Sequence, residues 1–280
     1  TVFLSRFYSC PQWIIKLLLA SYDLDKVTYF LKAALRPPHV GLRFNRQHPD
    51  YECALHHYAN LPECLFCQEP GLAFSRTPGN GLADMLEQGV LSRQSISSQR
   101  ALLDLVPASW PGPIWDACAG KGGKTGFLIE ISPASVWGSD LSLNKLQSCR
   151  AELKRLGVNK ELLFNADLSF DPPLRTSPGT ILLDVPCSGL GVLSRRPDSK
   201  WKRSKADCKE LIKLQRKMLD NAYRKLRPGG CLAYLTCTCN PAENGEQIRY
   251  LLSRNPGAKL KRERQRSEEH TSELQSLSHI

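Results

Sequence analysis

The spacing of apolar positions changes near residue 113, and the change separates two kinds of region. Upstream, apolar residues recur every three or four positions over 11–22 and 24–35, which predicts two amphipathic helices. Pro37-Pro38 stops the second, because proline has no amide hydrogen to give a helix. Gly41-Leu42-Arg43-Phe44-Asn45 then reads as a strand, and 58–80, rich in Pro, Gly and Cys, as connecting loops with short elements. Residues 1–88 are expected to form a small α+β unit.

Downstream, short apolar runs alternate with helical stripes. Strands are predicted at 113–117, 136–139, 162–165, 180–184 and 231–236, and helices near 124–130, 143–156 and 208–226. The last helix carries Leu211, Leu214, Met218, Ala222 and Leu226 on one stripe and closes at Arg227-Pro228-Gly229-Gly230. Five strands alternating with helices make an α/β fold with a mostly parallel open sheet, expected over 89–265. No repeat of solenoid period is present.

After Lys259 the rhythm stops. Residues 266–276 have no strand pattern and back-translate into a common sequencing adapter, so 266–280 is expected to be a non-native tail. On that reading the native chain stops near Gln265 and later strands are missing, which would leave an exposed sheet edge prone to aggregation. The chain begins at Thr1 without an initiator Met and reads as a fragment of something longer.

Charge sharpens this picture. The formal net charge is +11, and it is concentrated: 195–227 holds 13 Lys or Arg against four Asp or Glu, whereas 1–110 holds ten against nine. A local surplus of that size suits a phosphate-rich partner, whose counterions are released on contact. Its plainer alternative is a solvated helix face. The run Trp13-Ile14-Ile15-Lys16-Leu17-Leu18-Leu19-Ala20 is too short and interrupted to span a bilayer, and no signal cleavage site is seen. Eleven cysteines, an odd number at irregular spacing, fit a reducing cytoplasm better than a secreted disulfide framework. A soluble monomer is expected.

Candidate chemistry gathers at strand ends, where ligands bind in such sheets. Asp116-Ala117-Cys118-Ala119-Gly120-Lys121-Gly122-Gly123-Lys124-Thr125 is a Gly-rich strand-to-helix turn. It is no phosphate-binding Walker loop, because the glycine required five positions before Gly123 is Cys118. A nucleotide-like cofactor fits instead, with Asp140 and Asp167, at the ends of the next strands, placed to hydrogen-bond a ribose and an adenine. Taken singly, each Asp is as readily a helix cap or turn residue. Cys187 and Cys237 each follow an apolar run, which suggests covalent thiol chemistry, although a free Cys is more often a small buried hydrophobe. Cys10, Cys53, Cys149, Cys208 and Cys231 keep that inert reading, and Cys239 is assigned to structure. Cys64-Leu65-Phe66-Cys67, near His48, His56 and His57, is half a zinc motif without a second half, so no metal is expected.

Six segments, in order and spacing, resemble the Sun family of RNA cytosine-5 methyltransferases. They are the Gly-rich turn, Gly138-Ser139-Asp140, Asn165-Ala166-Asp167, Asp184-Val185-Pro186-Cys187-Ser188-Gly189, Arg195-Arg196-Pro197-Asp198-Ser199-Lys200-Trp201, and Thr236-Cys237-Thr238-Cys239-Asn240-Pro241-Ala242-Glu243-Asn244. Pro11-Gln12-Trp13, Leu42-Arg43-Phe44-Asn45 and Gly89-Val90-Leu91-Ser92-Arg93-Gln94 look like the family's N-terminal segments, especially in its bacterial small-subunit ribosomal RNA members.

The resemblance implies a class I methyltransferase (Rossmann-like) sheet binding S-adenosylmethionine, with the N-terminal unit binding RNA. Cys118, Ala119, Gly120, Lys121, Gly122, Gly123 and Lys124 would wrap the cofactor, Asp140 would hold its ribose, and Asp167 would lie by its adenine. Asp184 would sit beside the reacting base, Cys237 would be the nucleophile, and Cys187 would assist release. Arg195, Arg196, Lys200, Trp201, Lys202 and Arg203 would meet RNA.

Addition of a thiolate to carbon 6 of cytosine makes carbon 5 nucleophilic, and a buried Asp184 with a raised pKa would serve N3. The base must first be unstacked. Two departures stand out: Gly120-Lys121 replaces the family's usual Ala-Pro, and Ser95 stands where an acidic residue is common. Two competing readings are a DNA cytosine-5 methyltransferase, which would use Cys187 as nucleophile, and an RNA-binding ribosome-assembly factor with a vestigial cofactor site.

Overall fold

The computed structural model describes residues 1–280 except 69, 80, 159–161, 268–273 and 280. Its contacts divide it into two compact units, the first comprising Thr1–Pro38, Val185–Tyr223 and Ala233–Ile280, the second His39–Asp184 and Arg224–Leu232.

The first unit opens with α1 (Val2–Phe7), α2 (Gln12–Leu19) and α3 (Leu24–Ala33). Asp23 caps α3 by accepting the Lys26 N–H at 2.8 Å. The apolar stripes predicted for α2 and α3 supply Ile14, Ile15, Leu18, Val27, Phe30 and Leu31, which share one core with Leu190, Leu193 and Cys239. Tyr22 donates its hydroxyl to the Cys239 carbonyl at 3.0 Å.

In the second unit β1 (Val40–Phe44), α4 (Tyr51–Ala59), β2 (Cys64–Gln68), β3 (Gly71–Phe74), α5 (Leu82–Glu87), β4 (Leu91–Arg93) and α6 (Ile96–Asp104) follow in order. The strands form an antiparallel sheet in the order β2-β3-β1-β4. The short elements expected among the connecting loops of 58–80 include these two strands, β2 and β3. Their short runs show no clear alternation, and it is pairing along β1 that makes them strands. Ser95 caps α6, accepting the Ser98 N–H at 3.3 Å, so the position that often carries an acidic residue here does a cap's work with a hydroxyl.

The same unit continues through β5 (Ile114–Asp116), α7 (Gly123–Ile131), β6 (Val136–Asp140), α8 (Leu143–Arg155), β7 (Leu162–Asn165) and β8 (Thr180–Asp184). These strands are parallel in the order β8-β5-β6-β7. Residues 180–183 of β8 are buried, the pattern of a strand covered on both faces. Trp115, fully buried, donates its indole N–H to Ser139 Oγ at 2.9 Å and ties β5 to β6. α9 (Ser199–Lys202) and α10 (Lys205–Lys225) precede β9 (Cys231–Thr236), which starts alongside β8 with the Cys231 N–H donated to the Gly179 carbonyl at 2.9 Å. All five predicted strands are present.

α11 (Gly245–Arg254), β10 (Arg262–Ser267) and β11 (Leu274–His279) complete the chain. β10 and β11 lie in the stretch where the sequence has no strand pattern. β11 pairs antiparallel with β9, from Ser276 opposite Thr236 to His279 opposite Ala233, and β10 pairs antiparallel with β11. Backbone pairing needs no apolar alternation, and the open edge of β9 offers its N–H and C=O groups to whatever extended segment follows. Of the segment 266–276 read as patternless, residues 268–273 lie outside the described residues. No helix among the described residues is long and apolar enough to cross a membrane.

Candidate active site

The Gly-rich turn links β5 to α7. Gly120 and Gly122 have φ of +56° and +89°, a region open to glycine and costly for other residues. A Cβ at Gly122 would also come within 2.8 Å of Cys149 Sγ on α8, so this position admits no side chain. The turn is held from β6: Ala119 donates its N–H to the Ser139 carbonyl at 2.8 Å and Gly120 to Asp140 Oδ2 at 3.0 Å. The other Asp140 oxygen accepts the Ser142 N–H at 2.9 Å, with Lys145 Nζ at 3.7 Å.

Lys124, on the first turn of α7, donates to Asp184 Oδ2 at 2.6 Å. The buried Asp184 expected from the sequence is corrected: its side chain is 33% exposed, and it is paired with Lys124. β8 ends at Asp184, so its last residue turns toward solvent and takes a cation as partner. The buried carboxyl is instead Asp116. It is fully inaccessible, accepting Thr125 Oγ1–H at 2.7 Å and the Cys118 N–H at 3.4 Å, and burial pushes its pKa up to about 6. Burial, then the charges of Asp116, Asp184 and Asp140, hold the Cys118 thiol well above its ordinary range, which removes it as a nucleophile. Asp167, half-buried, accepts the Ser169 N–H at 2.8 Å in a local turn.

Asp116 gives a pH signature. Its pKa is raised in the folded state, so its contribution is complete below about pH 4 and is lost as pH rises through about 6, a swing on the order of 2–3 kcal/mol. The urea midpoint of the protein is expected to fall between pH 4 and 7, and Asp116→Asn to flatten that fall. An unchanged slope in the variant would refute the assignment.

A cavity of about 590 Å³ opens on the second unit, lined by Arg93, Lys121, Gly123, Ser148, Glu152 and Arg155 among others. It touches the turn but takes nothing from Asp140 or Asp184, so it is separate from the strand-end carboxylates.

In the first unit, the loops after β8 and β9 bring the two predicted thiols together. Cys187 Sγ and Cys237 Sγ lie 3.2 Å apart as free thiols, and the Cys237 N–H donates to Cys187 Sγ at 3.3 Å. The hydrogen bond with Cys237, then burial, then the charges of Cys237 and Glu243, hold the Cys187 thiol well above its usual range. The upward shift favours the thiol form of Cys187, and either sulfur can be the donor in the contact between the two. Cys239 is fully buried, donating to the Leu190 carbonyl at 3.4 Å, and burial raises its pKa: a packing residue.

The basic segment lies in the same unit. Arg195, Arg196, Trp201 and Lys202 are exposed, while Lys200 and Arg203 are half-buried. Lys202 pairs with Asp198, and Lys200 Nζ stands 5.9 Å from the Trp201 ring centre. The half zinc motif lies along β2, where Cys64 Sγ donates to the Phe66 carbonyl at 3.7 Å.

A family model described as 16S rRNA methyltransferase RsmB/F matches residues 101–278. The chain belongs to that family. Curated relatives of this RsmB/F chain include ribosomal RNA small subunit methyltransferase B of Cronobacter sakazakii, 34% identical over 263 residues, covering 89% of this chain and 59% of the relative. The protein of that name from Vibrio cholerae is 34% identical over 268 residues, covering 90% and 59%. The RsmB/F chain thus spans about 59% of the length of these relatives.

Among solved structures, NSun6 from Pyrococcus horikoshii, solved with SFG, aligns at a TM-score of 0.78 and 18% identity over 99% of this chain and 96% of its own. A methyltransferase homolog from the same organism aligns at 0.73 and 22%, over 96% and 98%. Both likenesses are of fold, and the Sun-family resemblance and class I methyltransferase fold read from the motifs hold. Asp116 and Glu243 each lie within a segment that carries the resemblance, and neither had a role assigned from sequence.

Proposed function

We propose that this chain transfers a methyl group from S-adenosylmethionine to carbon 5 of a cytosine in RNA, and that the RNA is that of the small ribosomal subunit. The observation carrying the reading is the Cys187–Cys237 pair at 3.2 Å, in the loops that follow two neighbouring strand ends of an RsmB/F chain.

The residues present suit the cofactor. Gly120 and Gly122 give the turn the positive φ angles that glycine adopts freely, Asp140 is fixed by backbone donors at the end of β6, and the first turn of α7 holds no acidic residue to repel a carboxylate. Cys118 through Lys124 would line it, Asp140 would take the ribose and Asp167 the adenine side. When bound, the cofactor supplies an electrophilic methyl group.

Cys237 supplies the nucleophile. Its sulfur forms a bond to carbon 6 of the ring, and the electron pair displaced from the carbon 5–carbon 6 double bond makes carbon 5 nucleophilic. Asp184, carrying Lys124, is the group assigned to the N3 side, where a shared proton steadies the charge that develops. Cys187, protonated, hydrogen-bonds the Cys237 sulfur. Once a water molecule has taken the carbon 5 proton, its electron pair re-forms the carbon 5–carbon 6 double bond as the carbon 6–sulfur bond breaks, and that hydrogen bond stabilises the departing Cys237 thiolate. Arg195, Arg196, Lys200, Lys202 and Arg203 serve phosphates and Trp201 offers an exposed ring for stacking.

The test uses the purified chain, methyl-labelled S-adenosylmethionine and an unmodified small-subunit ribosomal RNA transcript. Label is expected at carbon 5 of cytosine, its position read by bisulfite sequencing. A folded sample that binds RNA but neither binds S-adenosylmethionine nor transfers label would leave an assembly role, and label in DNA alone would assign the nucleophile to Cys187.

A further inference from the structure

Both thiols sit on loops, and a loop alone does not hold two sulfur atoms at a set distance. What fixes them is a buried carboxyl with no cation among its donors. Glu243, on the short turn after β9, is fully inaccessible. Its Oε1 accepts Ser188 Oγ–H at 2.5 Å and Asn240 Nδ2–H at 2.9 Å. Its Oε2 accepts the Ser188 N–H at 2.8 Å and Gln215 Nε2–H at 3.0 Å. Four donors fill the four lone-pair positions of a carboxylate.

Those donors come from three separate segments. Ser188 follows Cys187, Asn240 lies three residues past Cys237, and Gln215, itself fully buried, reaches in from α10. Gln215 also donates to the Pro186 carbonyl at 2.9 Å, so it grips the chain just before Cys187 as well. A hydroxyl chain runs between the residues that follow the two thiols: Thr238 Oγ1 and Ser188 Oγ are 2.7 Å apart, and Thr238 Oγ1 accepts the Asn240 N–H at 3.2 Å. With the Ser188 hydroxyl donated to Glu243, the Thr238 hydroxyl donates to Ser188. From the other side, Asn244 Nδ2 donates to the Thr238 carbonyl at 2.9 Å and the Tyr234 hydroxyl to the Glu243 carbonyl at 2.8 Å.

We infer that Glu243, acting with Gln215, is the positioning residue that sets the spacing of Cys187 and Cys237. It touches neither thiol and acts through the residues on either side of them. The inference rests on the reading of those two cysteines as the working pair. Substitution by Gln keeps the shape but turns an NH₂ toward groups that already donate, so at least one of the four hydrogen bonds becomes a donor-to-donor contact in a dry site and the Ser188–Thr238 hydroxyl chain has to reverse to spare a second.

The spacing can be read without methyl transfer. Diamide oxidises two thiols to a disulfide, taking up the two protons and two electrons they lose, and the rate depends on how close the thiols are held. In the full chain, Glu243→Gln is expected to slow formation of the Cys187–Cys237 disulfide, counted by mass spectrometry, by at least about tenfold at temperatures where the fold is intact. Gln215→Met, which keeps volume and removes the hydrogen bonds to Glu243 and to the Pro186 carbonyl, is expected to slow it several-fold and serves if the Gln variant does not fold. Glu243→Asp, retaining the four acceptor positions, is expected to recover part of the rate.

Disulfide rates within twofold of wild type in folded variants would overturn the inference, as would a loss of stability with no change in rate. If the rates fall as expected but the wild-type chain methylates no RNA, positioning stands and the proposed reaction falls. If the wild-type chain methylates and Glu243→Gln changes neither disulfide rate nor kcat, the inference falls alone.

Discussion

Cys237→Ala is expected to reduce methyl transfer by at least about 10³-fold, equivalent to roughly 4 kcal/mol of barrier, and to leave no covalent protein–RNA adduct. Without the sulfur nothing adds to carbon 6, and carbon 5 of cytosine stays too electron-poor to attack a methyl group. Cys187→Ala is expected to behave differently. The nucleophile is intact, so addition proceeds, but the leaving thiolate loses the hydrogen bond that Cys187 supplies from 3.2 Å. Adduct should then accumulate and persist on a denaturing gel with labelled RNA. The two cysteines are equivalent in sequence context, and the hydrogen bond with Cys237, then burial, raise the pKa of Cys187 and favour its thiol form. Adduct in the Cys237 variant, or none in the Cys187 variant, would reverse the assignment.

The largest effect on stability is expected from Arg43. Its side chain on β1 is 1% exposed and pairs with Glu130 on α7, which is 3% exposed. The guanidinium also stands 5.1 Å from the Phe127 ring centre. Arg43 Nε and Nη2 and Glu130 Oε2 are buried without hydrogen-bond partners, so each charge depends on the other. Arg43→Leu leaves Glu130 buried without its ion-pair partner, at a cost of about 3–5 kcal/mol. The double variant Arg43→Leu with Glu130→Leu removes both charges and is expected to regain most of that loss, because an apolar pair of similar size avoids the desolvation penalty. Urea unfolding of the four proteins measures the coupling. A double variant as unstable as the single one would show that the pair is not what holds β1 against α7.

These residues also show where reading the chain succeeds and where it stops. The parallel strands were legible because each is a short apolar run followed by a helical stripe, and a strand buried on both faces has to look that way. β2 and β3 were not, because Cys64–Gln68 and Gly71–Phe74 carry no strong alternation and gain their structure from β1. The strands beyond residue 259 were missed for a related reason: a pairing edge recruits backbone, and backbone has no sequence signature. Within the site, the motifs placed Asp140, Asp184, Cys187 and Cys237 in a recognisable order. They did not tell that Asp184 would carry Lys124, since partner and exposure depend on how β8 and α7 lie together. Glu243 was the least legible of all. Nothing in Pro241-Ala242-Glu243-Asn244 indicates four donors arriving from residues 188, 215 and 240, because that fact exists only after three segments have met.

The shared core beneath the thiol loops has a consequence for the order of events during synthesis. α2 and α3 bury Ile14, Ile15, Leu18, Phe30 and Leu31 against Leu190, Leu193 and Cys239, and the hydrogen bond from Tyr22 closes over 217 residues of sequence. At translation speeds of about 5–20 residues per second, those helices wait on the order of ten seconds or more for their partners to leave the ribosome. Throughout that interval their apolar faces are uncovered, which makes the nascent chain a natural client for a holdase and sets its solubility before Cys237 has been made.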